Sequence, residues 1–212
     1  VDLNSTTSPS ATSITAQADY TVWQNTVTVG TRVVGLQAMT FRIGGSVAPS
    51  DVANYRLFID GVQVGSAVQQ MDANRYVTFD LSANPVNLQT GGRVIKVVAD
   101  LNGGASRTLQ VQLRQAADLL AVDSQLMQPI LVTKNGSTFA IAQATDATIA
   151  SGSVSVNKST NSPSSNITSN GTSIKLASFD FRASGEAVKI DNLNVKAVTT
   201  VTAGGLNDGK VF

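Results

Sequence analysis

The side chains that could carry out acid–base or nucleophilic chemistry are few in this sequence of 212 residues. It contains no histidine and no cysteine, which excludes histidine bases, thiolate nucleophiles, Ser-His-Asp triads and zinc clusters. Carboxylate catalysis remains, and a glycosidase needs two carboxyl groups held roughly 5 to 10 Å apart. The acidic residues are spaced singly along predicted turns and strand ends. We therefore expect that the protein is not an enzyme and has no organic cofactor.

Calcium is the metal that the carboxylates could bind, because hard cations take clustered carboxylate and carbonyl oxygens. No calcium-loop pattern of the form D-x-D-x-D-G is present. Asp60, Asp100 and Asp191 lie beside predicted turns and are the candidate ligands. An ordinary role in the turns is the alternative for these acids, so the sequence leaves calcium binding open.

Asparagine acceptors for glycosylation are a second class of candidate site. The N-x-S/T pattern occurs at Asn4, Asn135, Asn157, Asn166 and Asn170. Asn4 also has an acid two residues ahead of it, which resembles the longer acceptor pattern of bacterial N-glycosylation. Such triplets also arise by chance in a chain rich in Ser, Thr and Asn. Surface glycans are thus candidate modifications or partners.

The aromatic residues offer one candidate sugar-binding surface. Trp23, the only tryptophan, lies close to Tyr20, and paired aromatic rings can stack on a sugar ring. Packing against a sheet is the competing interpretation. We predict that Trp23 is at least half buried, and a fully exposed Trp23 would favour a carbohydrate-binding module.

Composition and charge exclude several classes of partner. The 15 basic and 14 acidic side chains leave a net charge of +1 and form no run, so no nucleic-acid-binding surface is indicated. The longest apolar runs are far shorter than the roughly 20 residues of a membrane-spanning helix. Charged residues make up only 14% of the chain, which together with its many Ser, Thr and Asn residues is typical of secreted β proteins. We therefore expect an extracellular location at the cell surface. Residues 1–10 contain neither an initiator Met nor a signal sequence, so we expect the sequence to be that of a processed protein or an excised fragment.

Alternating apolar and polar residues predict β-strands through much of the chain. Two segments show this pattern best, residues 93–101 and 107–114. Each predicts a half-buried antiparallel strand. The predicted inward residues are Ile95, Val97, Ala99 and Leu101 in the first segment and Leu109, Val111 and Leu113 in the second.

Turn residues separate the predicted strands. Asp60-Gly61 lies between two β-rich runs and predicts a tight hairpin turn. Residues 116–127 are compatible with a helical turn or a strand. Many short strands with glycine-bearing turns and no long helices predict an antiparallel β-sandwich. Further strand candidates are residues 13–18, 26–30, 33–43, 76–81, 129–134 and 137–143.

A weak internal repeat divides the sequence. At an offset of 140 residues, hydrophobic positions correspond and several residues are identical. We predict a flexible N-terminal segment at 1–10, a first β-sandwich domain at 11–150 and a partial second domain at 151–212. In both copies the phenylalanine is expected to face the core and the arginine to face solvent. The identical pairs include Leu36 with Leu176, Phe41 with Phe181, Arg42 with Arg182 and Gly45 with Gly185.

Two segments of the sequence resemble a known family of proteins. FDFRASGEAVKIDNLNV at 179–195 and YRLFIDGVQVGS at 55–66 resemble repeats of large bacterial surface-layer and cell-surface proteins built from tandem immunoglobulin-like β-sandwiches. The resemblance implies a secreted structural protein that forms a homopolymer and has no catalytic residues. The expected function is a structural subunit or segment of an extracellular surface layer or filament, with a carbohydrate-binding or adhesive module as the alternative.

The second repeat is expected to contain only the opening half of a sandwich. Strands are predicted around 153–156, 174–183, 188–197 and 208–212, without counterparts of residues 76–81, 93–101 and 107–114. Half a sandwich exposes an apolar face and open strand edges, which favour pairing with another chain. Either the polypeptide continues beyond Phe212, or a neighbouring subunit completes the domain head to tail. In the second case Val211 and Phe212 are the candidate assembly residues.

Overall fold

The chain folds almost entirely into β-strands. The computed structural model describes residues 1–166, 171–184, 188–198 and 209–212. Within these ranges the regular structure consists of strands and one 3-10 helical turn, Ala116–Asp118. None of the helical residues described forms a helix long and apolar enough to cross a membrane. The all-β class predicted from the sequence is confirmed.

The strands are short in the loop-rich regions and long where they cross the core. They are β1 (Asp2–Leu3), β2 (Ser13–Ile14), β3 (Tyr20–Val29), β4 (Val34–Gly45), β5 (Val52–Ile59), β6 (Val62–Val68), β7 (Tyr76–Asp80), β8 (Val86–Leu88), β9 (Gly91–Leu101), β10 (Thr108–Leu113), β11 (Leu119–Asp123), β12 (Thr133–Lys134), β13 (Ser137–Thr138), β14 (Ala142–Gln143), β15 (Ala147–Ile149), β16 (Ser153–Lys158) and β17 (Phe179–Ser184).

Two sheets make up residues 1–150. The first has the strand order β13-β12-β1-β3-β9-β5-β6. The second follows the path β11-β4-β10-β15-β2, with β7 and β8 also pairing with β4, and β14 with β10. Adjacent strands are antiparallel except for two short parallel pairs, β1 with β12 and β15 with β2. The predicted antiparallel arrangement therefore holds for the long strands and differs at these two short pairs.

The core lies between the two sheets. Trp23 on β3 and Phe41 on β4 are both fully buried, and their rings meet edge to face at 5.0 Å. Phe41 also meets Phe79 on β7 at 6.1 Å. Burying a large apolar side chain contributes about 1.5–3 kcal/mol, so this cluster is a main source of stability. The expected core position of Phe41 is confirmed.

Local sequence patterns placed several elements correctly. Asp60 and Gly61 have φ angles of 49° and 86° and join β5 to β6, as a tight hairpin turn requires. The alternation in β9 and β10 is also confirmed. The predicted inward residues of both strands are buried: Ile95, Val97, Ala99, Leu101, Leu109, Val111 and Leu113.

The N-terminal segment differs from the expectation of a flexible residues 1–10. Asp2 and Leu3 form β1 between β3 and β12, and Leu3 is fully buried. Beyond β1, Asn4 N donates to Thr26 O at 3.1 Å. Main-chain hydrogen bonds hold the segment in the first sheet between β3 and β12, and they need no apolar alternation in the sequence.

Residues 116–127, for which the sequence is compatible with a helical turn or a strand, contain both. Residues Ala116–Asp118 form the 3-10 turn, and Leu119–Asp123 form β11, which pairs with β4. A short helical turn and a strand therefore follow one another. Of the predicted strand at 129–134, only Thr133–Lys134 is a strand, and the candidate at 137–143 is divided into β13 and β14.

The C-terminal part forms a separate two-stranded sheet, in which β16 pairs with β17. The strands predicted at 188–197 and near 208–212 are absent from the described residues 188–198 and 209–212. Phe181 is 43% exposed, so its expected core position is wrong in this structure. Phe41 is buried against Trp23, whereas the offset of 140 residues places Pro163 at the corresponding position.

Candidate assembly surface

The hairpin of β16 and β17 has one apolar and one polar face. The register places Val156 opposite Phe181, Val154 opposite Ala183 and Lys158 opposite Phe179. Because side chains directly opposite one another share a face, apolar residues from both strands lie together on one side. The other side carries Ser153, Ser155, Asn157, Asp180, Arg182 and Ser184.

The apolar face of the hairpin is uncovered among the described residues. All residues of β16 and β17 are exposed. Phe179 is 54% exposed and Val156 is 51% exposed. By contrast, the long strands β3, β4, β5, β9 and β10 of residues 1–150 each bury side chains in the core. An exposed apolar sheet face rimmed by polar residues is typical of an interaction surface.

Further apolar side chains near the hairpin are also exposed. They continue along residues 188–198, and the candidate assembly residues Val211 and Phe212 are 69% and 110% exposed. None of them contributes to the core cluster of residues 1–150. The exposed members along 188–198 are Val188, Ile190, Leu193, Val195 and Val198.

Each candidate calcium ligand has hydrogen-bond donors or a cation of this chain beside it. The Asp60 carboxylate accepts hydrogen bonds from Val94 N at 2.8 Å and from Arg93 at 3.1 Å. Asp191 lies 2.6 Å from the ammonium group of Lys189. Among the described residues, no three His, Cys, Asp or Glu side chains cluster in a way that could hold a metal ion.

Asp100 lies at the centre of a polar network on the first sheet. It accepts hydrogen bonds from Asp19 N at 2.9 Å, Asn54 at 2.8 Å and Arg56 at 2.7 Å. The backbone N–H of Asp19, the Asn54 amide and the nearby Arg56 guanidinium hold the pKa of Asp100 below its ordinary value. Arg56 also binds the Asp19 carboxylate. The two acids are therefore joined through an arginine, which indicates a structural network.

Two surface clefts of the described residues each contain a single acid. One cleft is lined by Tyr76, Arg114, Gln115, Asp118 and Ile141, and the Asp118 carboxylate accepts hydrogen bonds from the main-chain N–H groups of Arg114 and Gln115. Asp118 thus closes the turn before β11. A second cleft has Asp80 as its one acid, and hydrogen bonds from Ser82 lower the pKa of Asp80.

The glycosylation candidates lie in different environments. Asn4 is partly buried directly after β1, whereas Asn135 is exposed at the turn between β12 and β13 with a φ of 50°. Asn157 is exposed in β16, and Asn166 is exposed in the loop that follows. Asn170 lies outside the described residues. Asn135, Asn157 and Asn166 are therefore the exposed candidates among the described positions.

Trp23 does not form an exposed stacking surface with Tyr20. Its side chain is fully buried, and its indole Nε1 donates to Ala142 O at 3.2 Å. The prediction that Trp23 is at least half buried is confirmed. The fully exposed Trp23 that would favour a carbohydrate-binding module is not found.

One buried polar residue was not anticipated from the sequence. Asn25 on β3 is fully buried, its Nδ2 donates to Asn4 O at 2.7 Å, and its Oδ1 accepts from Asn4 N at 3.0 Å. The signal in the sequence is weak. It is a single amide residue at an inward position of an otherwise alternating strand.

Comparisons with known proteins add no family to this description. No protein-family model matches the chain, and no curated protein sequence matches it.

Proposed function

We propose that this chain is a structural subunit or segment of an extracellular polymer, a surface layer or a filament, built from immunoglobulin-like β-sandwiches. Copies of the chain contact one another through the exposed hairpin of β16 and β17. The observation that carries the proposal is the contrast between the tightly buried core of residues 1–150 and the uncovered apolar face of this hairpin.

The exposed face has enough apolar surface to support association. Val154, Val156, Phe179 and Phe181 are 41%, 51%, 54% and 43% exposed. Full burial of such a side chain contributes about 1.5–3 kcal/mol, so covering the exposed half contributes about 1 kcal/mol each. Two copies together then offset several kcal/mol of the cost of association, which is about 4 kcal/mol or more.

The composition supports an extracellular structural role. The chain has no cysteine, few charges and many small polar residues. Several of the described acids are engaged in turns and ion pairs, as at Asp60, Asp100 and Asp118. These features favour a protein whose surface serves packing and solubility.

The test is the association of the 212-residue chain in solution. Sedimentation velocity over a wide range of concentration measures its size, and electron microscopy of concentrated samples shows the form of any assembly. We expect association that strengthens with concentration. A thin sheet identifies a surface layer, and a thread identifies a filament.

A matched pair of variants locates the contact. Phe179→Ser with Phe181→Ser removes the aromatic residues of the hairpin, and we expect association to be lost. Val62→Ser with Leu131→Ser changes two side chains that are 66% and 77% exposed in the first 150 residues, and we expect association to remain. A chain that stays monomeric at all concentrations, or equal effects of the two double variants, would contradict the proposal.

A further inference from the structure

The free edge of β17 has a definite hydrogen-bonding pattern. Ser159 N donates to Ser178 O at 2.9 Å, so residue 178 directs its main-chain groups toward the first strand of the hairpin. Hydrogen-bonded and non-hydrogen-bonded positions alternate along an antiparallel pair. Phe179, Phe181 and Ala183 therefore direct their N–H and C=O groups away from β16. Within the described residues, β17 has no second partner strand.

We propose that β17 pairs in antiparallel fashion with β17 of a second copy, about a two-fold axis at Phe181. This inference rests on the proposed function and specifies a contact along the free edge of the hairpin, which leaves the apolar face available for a second contact. Phe181 lies opposite Phe181 of the second copy, and Phe179 lies opposite Ala183. The pairing joins two hairpins into one four-stranded sheet with a continuous apolar face.

Charge complementarity selects this partner and this register. Asp180 and Arg182 flank Phe181 on the polar face, and within the described residues neither takes part in an ion pair. The two-fold pairing places Asp180 of each copy opposite Arg182 of the other. Opposite charges directly across two strands are stabilising, and the dimer contains this pair twice.

Neighbouring registers lose this complementarity. The free edge requires Phe179, Phe181 and Ala183 to form the hydrogen-bonded pairs, so the centre of the two-fold pairing can move only by whole residues along the strand. Moving it to residue 180 places Asp180 opposite itself, and moving it to residue 182 places Arg182 opposite itself. Like charges directly opposite are destabilising, which disfavours both slips.

The symmetry of the contact has a consequence for assembly. A two-fold contact uses the same surface on both subunits and closes as a dimer. Growth of a layer or filament then uses the dimer as its building unit and requires a second contact, for which the apolar face of the joined sheet remains uncovered. This differs from the head-to-tail completion considered from the sequence.

Charge exchange tests the pairing. Asp180→Arg places Arg opposite Arg in the dimer, and Arg182→Asp places Asp opposite Asp. We expect each variant alone to raise the dimer dissociation constant roughly tenfold. An equimolar mixture restores complementarity at both pairs, so we expect it to dimerise like the original chain, as should the double variant that carries both changes.

Matched control variants change the net charge by the same amount as the β17 variants, but at positions outside β17. Lys189→Asp and Asp191→Arg alter an exposed ion pair outside β17. We expect both to leave the dissociation constant unchanged. If the mixture of the two β17 variants is no tighter than each alone, or if the controls weaken the dimer equally, the proposed register is wrong.

Cross-linking provides an independent measurement, because the natural sequence has no cysteine. In Phe181→Cys the two introduced thiols lie across a hydrogen-bonded pair with Cα atoms about 5.5 Å apart, which suits a disulfide. In Phe179→Cys they are four positions apart along the strands, about 13 Å, which is too far. We expect oxidised dimers from the first variant only.

The outcomes separate this inference from the proposed function. If the original chain associates but the mixture of the two β17 charge variants is no tighter than either alone, or cross-linking is equal at 179 and 181, the two-fold pairing is overturned and the assembly role remains. A chain that does not associate at any concentration overturns both. Rescue by the mixture together with cross-linking at 181 alone supports the pairing.

Discussion

The buried amide of Asn25 should hold the N-terminal strand on the first sheet. Its side chain binds both the C=O and the N–H of Asn4, at 2.7 and 3.0 Å. In Asn25→Ala the N–H of Asn4 keeps its bond to Thr26 O, but the C=O loses its donor. A partly buried carbonyl without a partner costs about 1–3 kcal/mol, so we expect the free energy of unfolding to fall by about 2 kcal/mol.

The loss should be concentrated at the N-terminus. Residues 2–8 lie beside β3, with β1 between β3 and β12, and they are outside the long central strands. The segment can therefore open locally while β9 stays folded. Hydrogen exchange followed by mass spectrometry should show faster exchange in this segment of Asn25→Ala, with little change in β9. Urea unfolding measures the accompanying change in stability.

The neighbouring residue supplies the control. Gln24 is partly exposed, and its Nε2 donates to Thr7 Oγ1 at 3.4 Å. Gln24→Ala should change stability by less than about 0.5 kcal/mol and leave exchange of residues 2–8 unaltered. Equal stability and equal exchange in the two variants would refute the role assigned to Asn25.

Three other changes test the body of the protein. Gly45→Ala should cost about 3 kcal/mol in urea unfolding, because its φ is 87° and a Cβ would lie 2.1 Å from Thr108 O; Gly61→Ala, with a similar φ of 86° and open space, should cost only about 1 kcal/mol. Phe41→Ala should cost about 3–5 kcal/mol through loss of burial, and a loss under 1 kcal/mol would contradict its core position. Since the folded-state pKa of Asp100 is lowered, its stabilisation is complete above its ordinary pKa and is lost as the pH falls through the lowered value. Asp100→Asn should therefore destabilise the protein at neutral pH and not in strong acid, and a pH-independent difference would exclude the ionic role.

Elements that depend on neighbouring residues were predictable from the sequence. The Asp60-Gly61 turn needs only two residues with positive φ angles, and both have them. The alternation in β9 reports one buried face directly. In each case the physical cause lies within a few residues, so the pattern can be read without knowing the rest of the fold.

Elements that depend on distant partners were not predictable in the same way. Residues 1–10 are polar and lack alternation, yet main-chain bonds and Asn25 place Leu3 in the core. Residues 188–198 alternate, but alternation does not supply a partner strand, and the structure has no strand there. The similar sequences around Phe41 and Phe181 likewise did not predict similar burial, because burial depends on the rings that surround the side chain.

The candidate assembly surface combines both kinds of information. Alternation in β17 encodes an apolar face and a polar face, but it does not say what covers the first. A two-stranded hairpin is marginally stable alone, and an additional strand stabilises it. The order Asp180-Phe181-Arg182 is complementary to itself when reversed, so the same local sequence that forms the strand also specifies a partner for its free edge. Pairing with a second copy then satisfies the main chain of Phe181, neutralises both charges and extends the apolar face, which is how a short segment can determine the geometry of an assembly.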